Sequence, residues 1–221
     1  MVTREEFYVN SMDGIHMIHD YRWYDPNQKW IGVLQIVHGM LEYIGRYDEF
    51  AEQMAEAGYY VIGHDHLGHG ETARDEDELG YFPGVNGSET VVDDLYKVTT
   101  SIRAQYPRLP YFLLGHSMGS FMARRYLMTY GRQLDGAILM GTGSQPPALL
   151  SAAKTTANSL SLVRGEHHRS QLMMKMAFGS YNKQYPSVRT EYDWLSRNEA
   201  NVDTYLADPY CGFMFTLNGY K

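Results

Sequence analysis

The stretch that most constrains this chain is Tyr111 to Ser120, reading Tyr-Phe-Leu-Leu-Gly-His-Ser-Met-Gly-Ser. A short apolar run ends in Gly115-His116-Ser117-Met118-Gly119 and passes directly into a helical pattern, the strand–turn–helix setting of a G-x-S-x-G nucleophile elbow. So tight a turn forces Ser117 into strained backbone geometry, and glycines two residues to either side let the chain close without side-chain clashes. The helix that follows points its first N–H groups at any negative charge developing beside the serine oxygen. Its apolar face is expected to run through Phe121, Met122, Tyr126 and Tyr130. Ser117 is therefore the candidate nucleophile, and Gly115, His116 and Gly119 frame its turn.

At 221 residues the chain is long enough for one well-buried core. A formal charge of −7 and the lack of a Lys/Arg cluster argue against a nucleic-acid partner, whose phosphates need a basic face. A small or lipid-like substrate is the expectation that remains. The N-terminus, Met1-Val2-Thr3-Arg4-Glu5-Glu6, has no apolar core of a signal peptide, and no segment approaches the ~18 to 20 apolar residues of a membrane span. The chain reads as soluble and cytoplasmic. Its single cysteine, Cys211, allows no internal disulfide, fits a reducing compartment and reads as structural.

Taken in order, Phe7 to Met12, Ile15 to Tyr24 and Ile31 to Val37 read as an antiparallel hairpin leading into a more buried strand, punctuated by Asp13-Gly14 and Asp25-Pro26-Asn27. Tyr47, Phe50, Ala51 and Met54 fall at i, i+3, i+4 and i+7, with Gly58 as the stop of a helix. Tyr59 to Ile62 is the next strand, and it runs into the loop His64-Asp65-His66-Leu67-Gly68-His69-Gly70. Ser88-Glu89-Thr90 opens a helix with Val91, Leu95, Val98 and Ile102 down one side. After the elbow comes a further buried strand, Gly136 to Gly141. Strands thus alternate with helices from residue 31 to 143, which implies a mainly parallel α/β sheet with helices on both faces. Beyond it the pattern is helical, through Leu149 to Leu160, Leu172 to Ala177, Glu191 to Arg197 and Glu199 to Leu206.

Four segments together resemble a known family: His38-Gly39-Met40 with Glu42 and Gly45-Arg46-Tyr47; Asp65-His66-Leu67-Gly68-His69-Gly70; Gly115-His116-Ser117-Met118-Gly119; and Trp194-Leu195-Ser196-Arg197-Asn198 followed by Asp208-Pro209. The chain is similar to serine hydrolases of the α/β-hydrolase fold, within them the monoacylglycerol lipase and lysophospholipase group. The resemblance implies that Ser117 is the nucleophile and that the backbone N–H groups of Met40 and Met118 form the oxyanion hole. It implies a hydrolase core over residues 1–143, a helical cap or lid over 144–215 whose leucines and methionines offer an apolar surface to an acyl chain, and a return to the core beginning at 216–221. No cofactor or metal is required. The substrate would be a small acyl ester or lipid.

The chain departs from the family pattern in one respect. That pattern orders the triad as Ser, then Asp or Glu, then His, yet after Ser117 the only histidines are His167 and His168. Asp193, Asp203 and Asp208 all follow them, and Asp135 precedes a strand at the end of the sheet away from the elbow. No residue is assigned as triad acid or base. The expectation is a chain truncated before its last strands, inactive or weak as an esterase, whose open edge at Ala137 to Met140 invites self-association.

Two other readings compete. His64-x-His66-x-x-His69 matches a zinc-ligand spacing, although the same loop fits a turn shaped by Asp65 and its glycines, and no metal is expected. A non-catalytic hydrolase-like module binding an apolar ligand under its cap is the alternative function. Among the remaining histidines, His116 defines the elbow and His38 braces the oxyanion turn, while His16 and His19 read as hairpin residues with no chemical partner.

Overall fold

A computed structural model describes residues 1–84 and 86–221, and its contacts divide the chain into two compact units, Met1–Arg74 with Pro83–Gly143 and Asp75–Phe82 with Ser144–Lys221. The first unit is built on one six-stranded sheet of order β1-β2-β4-β3-β5-β6. Its strands are β1 (Thr3–Asn10), β2 (Met17–Tyr24), β3 (Gly32–Val37), β4 (Tyr59–His64), β5 (Tyr111–His116) and β6 (Gly136–Met140). β1 pairs antiparallel with β2, and β2 with β4, whereas β4, β3, β5 and β6 run parallel. Each parallel step needs a helical crossover, which the alternating sequence supplies.

The helices of this unit are α1 (Asp48–Glu56), α2 (Gly87–Gln105) and α3 (Met118–Tyr130). Side-chain alternation along β3 sorts the core into two layers. Leu34 and Ile36 join Tyr21, Trp23, Val61, Ala51 and Ala55 beneath α1. Val33 and Val37 face the other way, towards Val98 and Ile102 of α2 and Ala123 and Tyr126 of α3. α1 ends where Gly58 takes φ +96°, a conformation open to glycine at little cost. On α3 the expected residues Met122, Tyr126 and Tyr130 pack into the second layer, but Phe121 is 49% exposed, and in the first turns Gly119, Ser120 and Ala123 are buried instead. Small residues face the sheet because the helix backbone lies too close to it for large ones.

One polar residue sits at the centre of the second layer. Gln35 is fully buried on β3, accepts from Thr99 Oγ1 (2.7 Å) and Tyr111 Oη (2.8 Å), and donates to the Leu95 carbonyl (3.2 Å). It ties β3, β5 and α2 together.

The second unit contains α4 (Pro147–Arg164), α5 (Gln171–Phe178) and α6 (Glu199–Ala207). Ala157, Met173 and Leu217 form its core, with Leu160 and Tyr220 against them. Residues 216–221, expected to begin a return to the sheet, therefore belong to this unit. So does the early segment Asp75–Phe82, which the sequence does not single out. The Arg169 guanidinium donates to the Glu76 and Leu79 carbonyls (2.6 and 3.0 Å), Thr216 donates through N and Oγ1 to the Gly80 carbonyl, and the Phe82 N–H reaches Asn218 Oδ1. Cys211 is buried here. Among the described residues no helix is long and apolar enough to cross a membrane.

Replacing Gln35 by Leu takes the acceptor from the buried Tyr111 hydroxyl, while the Leu95 carbonyl keeps Thr99 Oγ1, at a cost of about 1–3 kcal/mol. Urea unfolding is expected to show a lower midpoint at unchanged slope.

Candidate active site

β5 delivers its last residue, His116, to a turn in which Ser117 adopts φ 53°, ψ −118°, and α3 begins at the next residue. Among the described residues only Ser117 and Leu41 (φ 60°) combine a positive φ with a side chain, a strain of about 1–3 kcal/mol each. A Cβ on Gly119 would stand 2.1 Å from the Val37 carbonyl oxygen, and one on Gly115 would stand 2.5 Å from the Gly119 carbonyl oxygen. Both glycines are obligatory for a reason of packing. The Ser117 carbonyl accepts from the Ser120 N–H and hydroxyl (2.9 and 2.6 Å), and the Ser117 N–H donates to the Met140 carbonyl of β6 (2.9 Å).

The turn after β3, His38-Gly39-Met40-Leu41, stands against this elbow: a Cβ built on Gly39 would lie 3.2 Å from the Ser117 Cβ. Met40 and Met118 are half-buried. Among the described residues neither backbone N–H finds an acceptor in the chain, while the Gly39 N–H is taken by Glu42 Oε1 at 2.6 Å. Two unspent donors beside a strained serine are what a developing oxyanion needs.

Glu42 is the charged group of the site. Its Oε1 accepts from the Gly39 N–H, from Tyr47 Oη (2.8 Å) and from His116 Nδ1 (3.1 Å), and its Oε2 accepts from Arg46 Nη1 (2.6 Å). Burial alone would raise the carboxyl, but the His116 hydrogen bond and the Arg46 charge outweigh it and hold the group down to about 2. Tyr47, buried and facing that carboxylate, is pushed well above the ordinary tyrosine range. His116 Nδ1 also lies 2.9 Å from Tyr47 Oη. With Tyr47 donating to Glu42, the proton of the imidazole belongs on Nδ1. The motif carrying Glu42, Arg46 and Tyr47 is visible in the sequence, but the convergence of Glu42 and Tyr47 on His116 has no local signal.

Behind the turn lies a stack of histidines. His38 Nδ1 donates to the Gly39 carbonyl (2.8 Å), its Nε2 accepts from the His66 N–H (3.1 Å), and its ring stacks on that of His66 at 3.9 Å. His64, His66 and His69 do not converge on a common point: His66 Nε2 turns to the His38 carbonyl and His69 Nδ1 to the Leu67 carbonyl. Among the described residues no three His, Cys, Asp or Glu groups are placed to hold a metal ion. Asp65 instead organises the loop, accepting from the Ile44 and Glu71 N–H groups (2.8 and 3.0 Å) and from His19 Nδ1 (2.8 Å). His19 is thus not partnerless: burial lowers its affinity for a proton, but the Asp65 hydrogen bond prevails and raises it. His16 likewise pairs with Asp13. Both corrections concern buried imidazoles, which require such partners.

The other acidic and imidazole groups have structural engagements. The Asp135 carboxylate accepts from the Tyr111 N–H and from Arg103 at the opposite end of β5 from Ser117. His167 stacks on Tyr81 at 4.1 Å within the second unit.

Residues 28–221 match the Hydrolase_4 family, serine aminopeptidase S33. The chain belongs to that family. Rat (Rattus norvegicus) monoglyceride lipase is 28% identical over 191 residues, covering 85% of this chain and 55% of the rat protein. Monoacylglycerol lipase of Mycolicibacterium smegmatis is 28% identical over 212 residues, 94% of this chain and 65% of that one. The crystal structure of a highly thermostable carboxyl esterase from Bacillus coagulans in complex with glycerol aligns at a TM-score of 0.87 and 30% identity, over 99% of this chain and 71% of that one. The architecture is the α/β-hydrolase fold, and the chain spans 55% to 65% of the length of the two lipases.

Burial depresses His64 to about 3, with the competing imidazole of His38 beside it a lesser cause, and burial depresses His69 to about 3. In the unfolded chain each would titrate near 6.5, so between these values only the unfolded state takes up the proton. Stability is therefore expected to fall as pH drops from about 6.5 towards 3, by up to about 1.4 kcal/mol per pH unit for each such histidine. Urea titrations of His64→Leu at stepped pH should show a shallower slope in that window than the parent; an unchanged slope would mean His64 is not held neutral.

Proposed function

We propose that this chain carries the nucleophile and the oxyanion hole of a serine carboxylic-ester hydrolase whose substrates are monoacylglycerol- or lysophospholipid-like acyl esters. The observation that carries the reading is Ser117, held at φ 53° beside a turn whose Met40 N–H, like that of Met118, has no acceptor among the described residues. Ser117 Oγ attacks the acyl carbonyl, the two N–H groups receive the charge that forms on its oxygen, the alcohol departs, and water releases the acyl group from the serine. The acyl-ester class draws support from the likeness to the two lipases and to the glycerol-bound esterase.

Turnover by this chain is expected to be weak. The only histidines after Ser117 are His167 and His168, and the former is committed to Tyr81. A serine deprived of its base loses several orders of magnitude in rate. That same observation favours the second reading, a module that binds the apolar ester without cleaving it.

Hydrolysis of a monoacylglycerol and of a p-nitrophenyl acyl ester by the purified protein, beside Ser117→Ala, separates these readings. Activity abolished by the substitution supports the hydrolase. Equal turnover in both proteins refutes it, and saturable ester binding with no turnover in either selects the binding module.

A further inference from the structure

We propose that Glu42 is a positioning residue that sets the direction of the Met40 N–H, and so builds the half of the oxyanion hole that the elbow does not supply. The inference rests on the reading of Ser117 as nucleophile. It starts from Gly39, where a Cβ would lie 2.6 Å from Glu42 Oε1 and 3.2 Å from the Ser117 Cβ, so that a side chain there would displace the carboxylate. Glycine leaves both of its backbone torsions soft. The Met40 N–H belongs to the peptide that follows, so its direction is set by those two torsions alone.

The structure restrains both. Glu42 Oε1 takes the Gly39 N–H at 2.6 Å on one side, and His38 Nδ1 donates to the Gly39 carbonyl at 2.8 Å on the other. Because a trans peptide directs its N–H opposite to its carbonyl, gripping the Gly39 oxygen from one side aims the Met40 N–H to the other. The same Oε1 accepts from His116 Nδ1, immediately before Ser117, so one carboxylate references the turn to the elbow. A lone anion here would oppose a developing oxyanion. Arg46 Nη1, 2.6 Å from Oε2, offsets that charge and leaves Glu42 a geometric role.

Glu42→Gln tests this, because the amide keeps the shape but exchanges a fourfold acceptor for a group whose NH2 faces donors. Two readouts are taken on the intact chain. In the 1H–15N spectrum the Gly39 amide proton is expected to move upfield, as a charge-assisted bond is lost, and the Met40 amide to shift with it. In phosphonylation of Ser117 by a fluorophosphonate, the limiting rate is expected to fall roughly 10- to 100-fold while the half-saturating probe concentration stays constant. Asp135→Asn, which weakens the Arg103 and Tyr111 contacts at the opposite end of β5 from Ser117, should leave the Met40 amide and the limiting rate unchanged. If Glu42→Gln fails to fold, Tyr47→Phe removes one donor to the carboxylate and should give smaller changes in the same sense.

Unmoved Gly39 and Met40 amides in a folded Glu42→Gln protein would overturn the proposal, as would a rate loss no larger than the loss of folded protein. If the parent itself is not phosphonylated at Ser117, the nucleophile assignment fails, and the two amide shifts still decide the role of Glu42.

Discussion

The candidate site depends on one close approach. The backbone of α3 comes so near the end of β3 that the carbonyl oxygens of Val37 and His38 occupy the space of a Cβ at position 119. That approach brings the first N–H of the helix level with the turn leaving β3, and it obliges the chain to reverse within a single residue. Ser117 takes the strain. Gly115 serves the same end from within β5, since any side chain there would meet the first turn of α3. Nothing about the serine itself makes it a candidate nucleophile; the packing of strand against helix does.

Polar groups then hold this backbone geometry in a largely buried region. Glu42 and Asp65 act as paired anchors, one for the turn after β3 and one for the loop after β4, and each satisfies backbone N–H groups that no helix or strand could reach. The buried imidazoles between them are kept neutral by desolvation and spend their protons on carbonyls, as His38 does on Gly39 and His66 on His38. The arrangement is rigid because most of these groups are committed. Rigidity is what an oxyanion hole requires, since donors that must reorganise during the reaction stabilise charge less.

Local patterns made much of this legible. The strand–turn–helix at Ser117, the Gly58 helix stop and the alternation of strands with helices all follow from residues within a few positions of one another, and the structure contains them. The packed face of α3 was legible at Met122, Tyr126 and Tyr130 but not at its first turn, because periodicity weights a large apolar residue such as Phe121 whereas the close approach selects Gly119 and Ala123. Long-range polar partners were equally hidden: His19 finds Asp65 46 positions away, and His116 finds Glu42 74 positions away. The recruitment of Asp75–Phe82 into the second unit through Arg169 belongs to the same class. Such partners are chosen by the fold, and only the need of a buried polar group for some partner could be foreseen.

The most direct test of the central claim is a crystal structure of the chain after reaction with a fluorophosphonate. The account predicts a phosphonyl group on Ser117 Oγ whose oxygen lies about 3 Å from the backbone nitrogens of both Met40 and Met118. An adduct on another residue, or a Ser117 adduct whose oxygen turns away from those two N–H groups, would contradict it.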